Sequence, residues 1–205
     1  MRGFLLIGAT VLLAASAPTA TQATALHQIN YYKGVNSVNA PPRVYTARYD
    51  ATWFDEITHI FARDTDAVIR DIVTGRTFEM RRTFGTNHAD VEPLTKADAD
   101  IMYDIWGGWS WERRAVAVYV GNYVFAGSLT NFPHAGVDAA PALATVNNRS
   151  GGYGRGLNFD AVKGNGVDGH MCLHFAGSLT HVTNRTNAAH TQRIAEAVLY
   201  IQNNY

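Results

Sequence analysis

Two pairs of chain segments, each joined by a two-residue turn that contains glycine, constrain the fold most strongly. Ala67–Val73 and Arg76–Phe84 flank Thr74-Gly75, and side chains of opposite character roughly alternate along both segments. Arg114–Val120 and Tyr123–Thr130 flank a second turn of the same length. Alternation with a period of two is typical of strands, and a short glycine turn joins antiparallel neighbours. Both pairs therefore predict β-hairpins.

Three other segments repeat apolar residues at helical spacing and predict amphipathic helices. They are Thr52–Phe61, Thr95–Trp106 and Asn187–Gln202. Thr52 and Thr95, which begin the first two segments, are candidate N-caps. Thr95 with Asp98 also resembles a capping box. The strands and helices do not alternate as βαβ units. The sequence therefore predicts a β-rich α+β fold: a small mixed sheet or sandwich with two hairpins and peripheral helices.

The chain between the second hairpin and the last strand candidate shows no regular spacing. Asn131–Gly169 is rich in glycine, so a glycine-rich loop is predicted over residues 135–169. A loop of this length in a compact domain is usually functional or mobile. It belongs to a single predicted catalytic-type domain, residues 48–205, which follows an extended lead-in, residues 26–47.

The first 25 residues predict export. A short positive start is followed by the apolar run Phe4–Ala17, which is shorter than the about 20 residues that a membrane-spanning helix needs. Ala23-Thr24-Ala25 matches a small-x-small cleavage site, so residues 1–25 are predicted to be a secretory signal peptide. The mature protein is then expected to be secreted, extracellular or cell-wall associated (periplasmic in a cell with two membranes), with no later membrane span. An uncleaved N-terminal anchor is the alternative.

Charge and cysteine content narrow the function classes. The chain has 17 basic and 17 acidic residues, a balance that argues against a nucleic-acid or polybasic membrane partner. Its single cysteine, Cys172, cannot form a disulfide within the chain. In an exported protein such a thiol is buried and inert, paired between chains, or reactive.

Cys172 lies in the strand candidate His170–Phe175. Alternation along a strand places His170, Cys172 and His174 on one face, while the residues between them fill the core. A histidine beside a thiol can take its proton, which predicts a cysteine nucleophile. Cysteine and histidine are also zinc ligands, so these three residues together with His88 could form a zinc site. A buried, inert cysteine is the third interpretation.

Other polar residues are candidates for catalysis or substrate binding. His134 follows the second hairpin in Phe132–Gly136, a turn where a base can reach a strand end; a solvated loop histidine is the alternative. His88, Asp90 and Glu92 occupy alternate positions ahead of the second helix, where a carboxylate can orient an imidazole or favour the helix start. The candidate substrate-binding residues are His88, His174, Ser178, Thr180 and His181. Residues that can bind a glycan or peptide, or else pack in the core and at its rim, are Trp106, Trp109, Trp111, Arg113 and Arg114.

The segment Gly169–His174 resembles the Ser/Thr-His-Gly-Cys signature of the L,D-transpeptidases of bacterial cell walls (YkuD-type). Phe132–Gly136 is similar to the His-Gly turn that precedes this signature in the family, and Asp71–Arg76 is similar to the family's opening strands. Longer segments, spread over about Phe54–His190, resemble a group of secreted proteins from Gram-positive bacteria.

The resemblance implies a secreted cysteine acyl transferase or hydrolase that acts on peptidoglycan stem peptides without a cofactor. Cys172 would be the nucleophile and His134 the general base, while His170 would help to hold the substrate and the thiolate. The enzyme would cleave a peptide bond through a thioester and pass the acyl group to an amine or to water, with backbone amides near the cysteine as the oxyanion hole. The alternatives are a zinc-dependent peptidase or hydrolase and a non-catalytic wall-binding module.

The sequence departs from the family pattern at three points. Met171 stands where the family has glycine, so its side chain is expected to approach the oxyanion site. Gly169 replaces the usual serine or threonine. His134 and Cys172 lie 38 positions apart, a wider gap than in the family motif, so the residues between them are expected to fold out as a loop or lid.

Overall fold

The structure, a computed structural model, describes residues 44–205. Strands dominate this part of the chain. The predicted signal peptide, 1–25, and most of the predicted lead-in lie outside the described residues. The strands are β1 (Thr46–Ala47), β2 (Asp66–Asp71), β3 (Thr77–Phe84), β4 (Ala89–Pro93), β5 (Arg114–Val120), β6 (Tyr123–Leu129), β7 (Thr145–Arg149), β8 (Gly154–Leu157) and β9 (Met171–His174). The helices are α1 (Thr58–Ile60), α2 (Lys96–Trp106) and α3 (Ala188–Asn204), with a π-helical turn over Trp53–Ile57 and a 3₁₀ turn over Ser150–Gly152.

Six of the strands close on themselves to form a ring. Their order is β6-β5-β2-β3-β4-β9, β9 pairs again with β6, and every pairing in the ring is antiparallel. β1 pairs in parallel with β6, and β7 and β8 form a separate two-stranded sheet. The predicted β-rich α+β fold and both predicted hairpins, β2–β3 and β5–β6, are confirmed. The closure through β9 is a feature that no sequence pattern predicts.

One apolar core stabilises the ring, and strand alternation explains which residues enter it. Ile69, Met80 and Leu173 are fully buried, whereas their neighbours along each strand point the other way. The outer face of β5 and β6 is covered by α3, so these two strands are buried on both sides and read as nearly continuous apolar runs. Ile194 and Ile201 on α3 are buried in this second layer.

The three predicted helices are confirmed, each with a local feature of its own. The first begins as a π-helical turn, and its buried Trp53 stacks on Phe175 with ring centroids 5.7 Å apart. α2 begins with the predicted capping box of Thr95 and Asp98. α3 begins after Asn187, whose side chain accepts hydrogen bonds from two backbone amides. Within residues 44–205, no helix is both long enough and apolar enough to cross a bilayer.

Two segments differ from the sequence-based expectation. Residues 89–93, expected only as alternating polar positions ahead of a helix, form strand β4, which is buried along its whole length. The predicted glycine-rich loop, 135–169, contains the hairpin β7–β8. Hydrogen bonds rather than apolar burial hold this hairpin, since the Arg149 guanidinium donates to the carbonyl oxygens of Tyr153 and Leu157. A hairpin of that kind leaves no apolar alternation in the sequence.

A buried ion pair ties the first hairpin to the second. The Asp71 carboxylate is fully buried and accepts two hydrogen bonds from the Arg114 guanidinium, at 2.8 and 3.0 Å. It also accepts hydrogen bonds from the backbone amide and hydroxyl of Thr74 in the hairpin turn. Burial alone would raise the pKa of Asp71, but the hydrogen bonds from Arg114 and Thr74 outweigh it and hold that pKa below its ordinary value.

We therefore expect Asp71→Asn to lower the free energy of unfolding at pH 7 by about 1–3 kcal/mol, because the substitution leaves Arg114 without its charged partner. The pKa of Asp71 is lower in the folded than in the unfolded chain, where it is about 3.9. The stabilisation is therefore complete above that pH and is lost as the pH falls through the folded value. Urea unfolding at pH 7 and pH 3 measures it, and the variant should approach the wild type at pH 3. Asp100→Asn, which breaks an exposed pair with Lys96, is the matched control and should cost less than about 1 kcal/mol.

Candidate active site

Strand β9 presents Cys172 as the sequence predicts. Met171 and Leu173 are fully buried in the core, whereas Cys172, between them, faces the other side and is half-buried. His174 shares the face of Cys172 by alternation. The expectation that Met171 would approach the oxyanion site is wrong, because its side chain fills the core on the opposite face of the strand.

The two strands that flank β9 bring further polar groups to this face. Asp90 on β4 lies opposite Cys172, and Ser128 on β6 lies opposite His174. Directly paired residues in an antiparallel sheet point to the same face. The pairing therefore places Asp90 beside the thiol, a neighbour that sequence patterns alone do not reveal.

Cys172 and His134 form a thiol–imidazole pair. The Sγ atom of Cys172 lies 3.7 Å from Nε2 of His134. On the other side of the ring, Nδ1 of His134 lies 3.0 Å from the carbonyl oxygen of Phe132. A carbonyl oxygen only accepts hydrogen bonds, so Nδ1 carries the proton and Nε2 presents its lone pair to the thiol. This is the tautomer that a general base requires.

A backbone bridge brings the two residues together despite the 38 positions between them. The backbone amide of His134 donates to the carbonyl oxygen of His170, and the reverse hydrogen bond forms as well, each at 3.1 Å. The residues between them fold out, as expected, and close on themselves as the β7–β8 hairpin. The predicted triad of Cys172, His134 and His170 is therefore present as one cluster.

Both members of the pair are neutral in the resting protein. Burial lowers the pKa of His134 to about 4. Burial, followed by the negative charge of Asp90, raises the pKa of the Cys172 thiol. The resting pair is thus a thiol beside a free base rather than a thiolate beside an imidazolium, and the proton has to move as the sulfur attacks.

Asp90 is the centre of a second group of histidines. His181 Nε2 lies 3.1 Å from one carboxylate oxygen, and His170 Nε2 lies 3.8 Å from the other. Burial would raise the pKa of Asp90, but the interaction with His170 and the hydrogen bond from His181 outweigh burial and lower it. The hydrogen bond to Asp90 also raises the pKa of His181. Asp90 is therefore a buried carboxylate that keeps its charge.

Three imidazoles stack behind the thiol. The ring of His174 lies between those of His88 and His190, with centroid distances of 4.1 and 3.8 Å. His190 Nδ1 lies 2.8 Å from the Ser128 hydroxyl. Burial lowers the pKa of His190 to about 3 and that of His88 to about 4. The stack is neutral, so its faces can touch without charge repulsion.

The remaining predicted substrate-binding residues occupy three places. His174 and Ser178 line a cavity of about 360 Å³ next to the start of α3, whose lining does not include Cys172. Thr180 belongs to a turn, where its hydroxyl bonds that of Thr183. His181, whose side chain is 44% exposed, reaches the cluster through Asp90.

Two aromatic residues form an exposed rim beside His134. Trp111 is 41% exposed, and its ring lies 4.8 Å from that of His134 and stacks on Phe132. Tyr153 is 47% exposed, and its ring lies 5.3 Å from that of His134. The tyrosine comes from the β7–β8 hairpin, so sequence analysis could not place it here. Exposed aromatic rings beside the thiol–imidazole pair offer contact area for a bound molecule.

The backbone bridge between His134 and His170 explains why this chain has Gly169 where the signature it resembles has serine or threonine. Gly169 has φ +89, and a Cβ atom there would lie 2.1 Å from the carbonyl oxygen of His134. A side chain at this position would have to displace the bridge that positions His134. Only glycine fits the close approach.

Gly169→Ser is therefore expected to slow alkylation of Cys172 by iodoacetamide, because it moves His134 away from the sulfur, and to lower the free energy of unfolding by roughly 1–3 kcal/mol. Gly164→Ser is the matched control: Gly164 has φ +71 but open space around its Cα atom. Equal alkylation rates in the two variants would contradict this account of the bridge.

The zinc alternative predicted His88, His170, Cys172 and His174 as ligands. The group that the structure brings together within residues 44–205 is different: ligand atoms of His88, Asp90 and Cys172 all lie within 4.8 Å of one another. His174 instead stacks flat on His88. Asp90 takes the place of His170 and His174 in this group, although its position in the sequence predicts only an orienting group or a helix start.

Comparisons with known proteins find no match to this chain among protein-family models, curated proteins or solved structures. A fold does not by itself fix a function. Function therefore has to be inferred from the chemistry of the cluster around Cys172.

Proposed function

We propose that the protein is a cysteine-dependent acyl transferase or hydrolase that acts on the stem peptide of peptidoglycan, with Cys172 as nucleophile and His134 as general base. The observation that carries the proposal is the 3.7 Å contact between Sγ of Cys172 and Nε2 of His134, with Nδ1 of His134 fixed by the Phe132 carbonyl. Nucleophile, base and orienting group are the three parts that covalent catalysis needs.

The reaction follows from the protonation states of the pair. As Sγ attacks the carbonyl carbon of the substrate, its proton passes to Nε2 of His134. Collapse of the tetrahedral intermediate breaks the C–N bond, and His134 returns the proton to the leaving amine. The thioester is then attacked by a second amine or by water, again with His134 as the base, which regenerates the thiol.

The developing negative charge on the substrate oxygen needs a donor near Cys172. The Cys172 backbone amide makes a long contact of 3.4 Å with the Thr130 hydroxyl. So long a contact is weak, so the Thr130 hydroxyl can rotate away and leave the amide hydrogen to an oxyanion at little cost. Met171 does not obstruct this position, because its side chain is buried in the core.

Support for a cell-wall peptide as substrate comes from three sources of different kind. The segment around Cys172 resembles the L,D-transpeptidase signature, and the N-terminal sequence predicts export. The rim of Trp111 and Tyr153 offers exposed rings on which an extended peptide can lie. The predicted secreted or cell-wall location and the proposed substrate agree with each other.

The test is thioester formation with a purified disaccharide tetrapeptide, in the presence of a chelator, followed by intact-protein mass spectrometry. The wild-type protein should gain the mass of the acyl group on Cys172, and Cys172→Ala should gain none. His134→Ala should acylate roughly 10²- to 10⁴-fold more slowly, since it loses the general base.

His59→Ala is the matched histidine control, because His59 lies exposed on α1; it should acylate at the wild-type rate. Acylation of the Cys172→Ala variant, or no acylation of folded wild-type protein by any stem peptide, would overturn the proposal. Equal rates in His134→Ala and His59→Ala would remove His134 from the mechanism.

A further inference from the structure

We propose that His88, Asp90 and Cys172 form a binding site for a thiophilic divalent cation such as Zn²⁺, and that the bound cation holds the sulfur and blocks acyl transfer. The binding site stands on its own geometry, whereas the blocking of acyl transfer rests on the proposed function.

The first argument is a buried lone pair that faces a carboxylate. Nδ1 of His88 lies 2.8 Å from the carbonyl oxygen of Leu179, so Nδ1 carries the proton and Nε2 carries a lone pair. His88 is only 2% exposed, and among residues 44–205 its Nε2 has no hydrogen-bond partner. The nearest charged atom is Oδ1 of Asp90, at 3.4 Å. Two acceptors at this separation repel each other unless a cation lies beside both.

The second argument is the donor set. Ligand atoms of the three residues lie within 4.8 Å of one another. Zinc lies about 2.0–2.3 Å from nitrogen, oxygen and sulfur ligands, so donors around one tetrahedral ion are roughly 3.3–3.8 Å apart. Side-chain movement of about an ångström therefore closes the set around an ion. Cys172 is only half-buried, so the fourth ligand of the proposed ion would be water.

The third argument is that the ligands are already oriented. Ligating histidines usually donate their second ring N–H to a carbonyl or carboxylate, and His88 does so to Leu179. Asp90 is held by His181 at 3.1 Å. Partners of this kind fix the direction of the lone pairs before an ion arrives.

The chemistry of the donors selects the class of ion. Magnesium and calcium prefer oxygen ligands, whereas a sulfur, a nitrogen and a carboxylate suit zinc and related ions. Binding converts the thiol and the dication into a metal–thiolate bond and a free proton. An ion that draws electron density from the sulfur makes it a poorer nucleophile towards a carbonyl, and His134 then has no thiol proton to accept.

Metal binding is measured directly with Co²⁺ and Zn²⁺ on metal-free, full-length protein. Wild-type protein should bind one Zn²⁺ per chain, and Co²⁺ should give the sulfur-to-cobalt charge-transfer absorption that only a thiolate ligand produces. His88→Ala should weaken Zn²⁺ binding by at least roughly 100-fold, more than the loss of an outer-shell partner costs. Cys172→Ser should lose the charge-transfer absorption, and its near-isosteric side chain guards against a folding defect. His59→Ala should bind like the wild type.

Acyl transfer is then measured on the same samples with increasing Zn²⁺. Zinc should inhibit acyl transfer by the wild type in proportion to the occupancy of the site. The Zn²⁺ concentration that halves the wild-type rate should leave the rate of His88→Ala equal to the rate of the same variant without zinc. Absence of stoichiometric binding, or equal binding in His88→Ala and His59→Ala, would overturn the site. Faster acyl transfer with zinc would overturn the blocking role. A wild type that binds Co²⁺ through sulfur but never acylates would refute the proposed function and leave the site intact.

Discussion

The pairing of β9 with two partners at once is the constraint on which the site depends. β9 has only four residues, yet it pairs with β4 through Cys172 and Asp90 and with β6 through His174 and Ser128. These pairings close the ring of strands and set the register at which its polar residues meet. A shift of one residue would send Cys172 into the core and Met171 to the surface. The fold and the chemistry are therefore specified by the same backbone hydrogen bonds.

A second constraint is the bridge between His134 and His170. It joins the two ends of a segment of more than thirty residues, and it places Nε2 of His134 3.7 Å from Sγ of Cys172. The glycines at its ends permit an approach that any Cβ atom would prevent, as the 2.1 Å contact at Gly169 shows. The segment between them is free to fold as its own hairpin, which contributes Tyr153 to the rim. The wide gap in the sequence therefore separates Cys172 and His134 in the chain but not in space.

Local patterns in the sequence predict most of the elements, because each is encoded within fewer than twenty consecutive residues. Both hairpins, the capping box at Thr95 and the alternation around Cys172 are examples. Strand β4 is not predicted because it is buried on both faces and therefore shows no apolar–polar alternation. It also ends in Pro93, so its polar residues resemble the start of a helix. The contact between Asp90 and Cys172 depends on how strands 80 residues apart come together, which no local pattern contains. The role of Met171 is likewise decided by the closure of the ring rather than by its place in a motif.

The tautomers of three histidines explain why the proposed catalysis and the proposed cation binding meet at one sulfur. His88, His134 and His170 each place Nδ1 against a backbone carbonyl oxygen, so each turns the bare Nε2 atom inwards. Beside a thiol, such a nitrogen is a base; beside a carboxylate, it is half of a metal site. Cys172 lies between the two environments, with His134 on one side and the pair of His88 and Asp90 on the other. In the two proposals, a proton acceptor and a cation therefore compete for the same sulfur, and the occupant would determine whether the thiol is a nucleophile or a ligand.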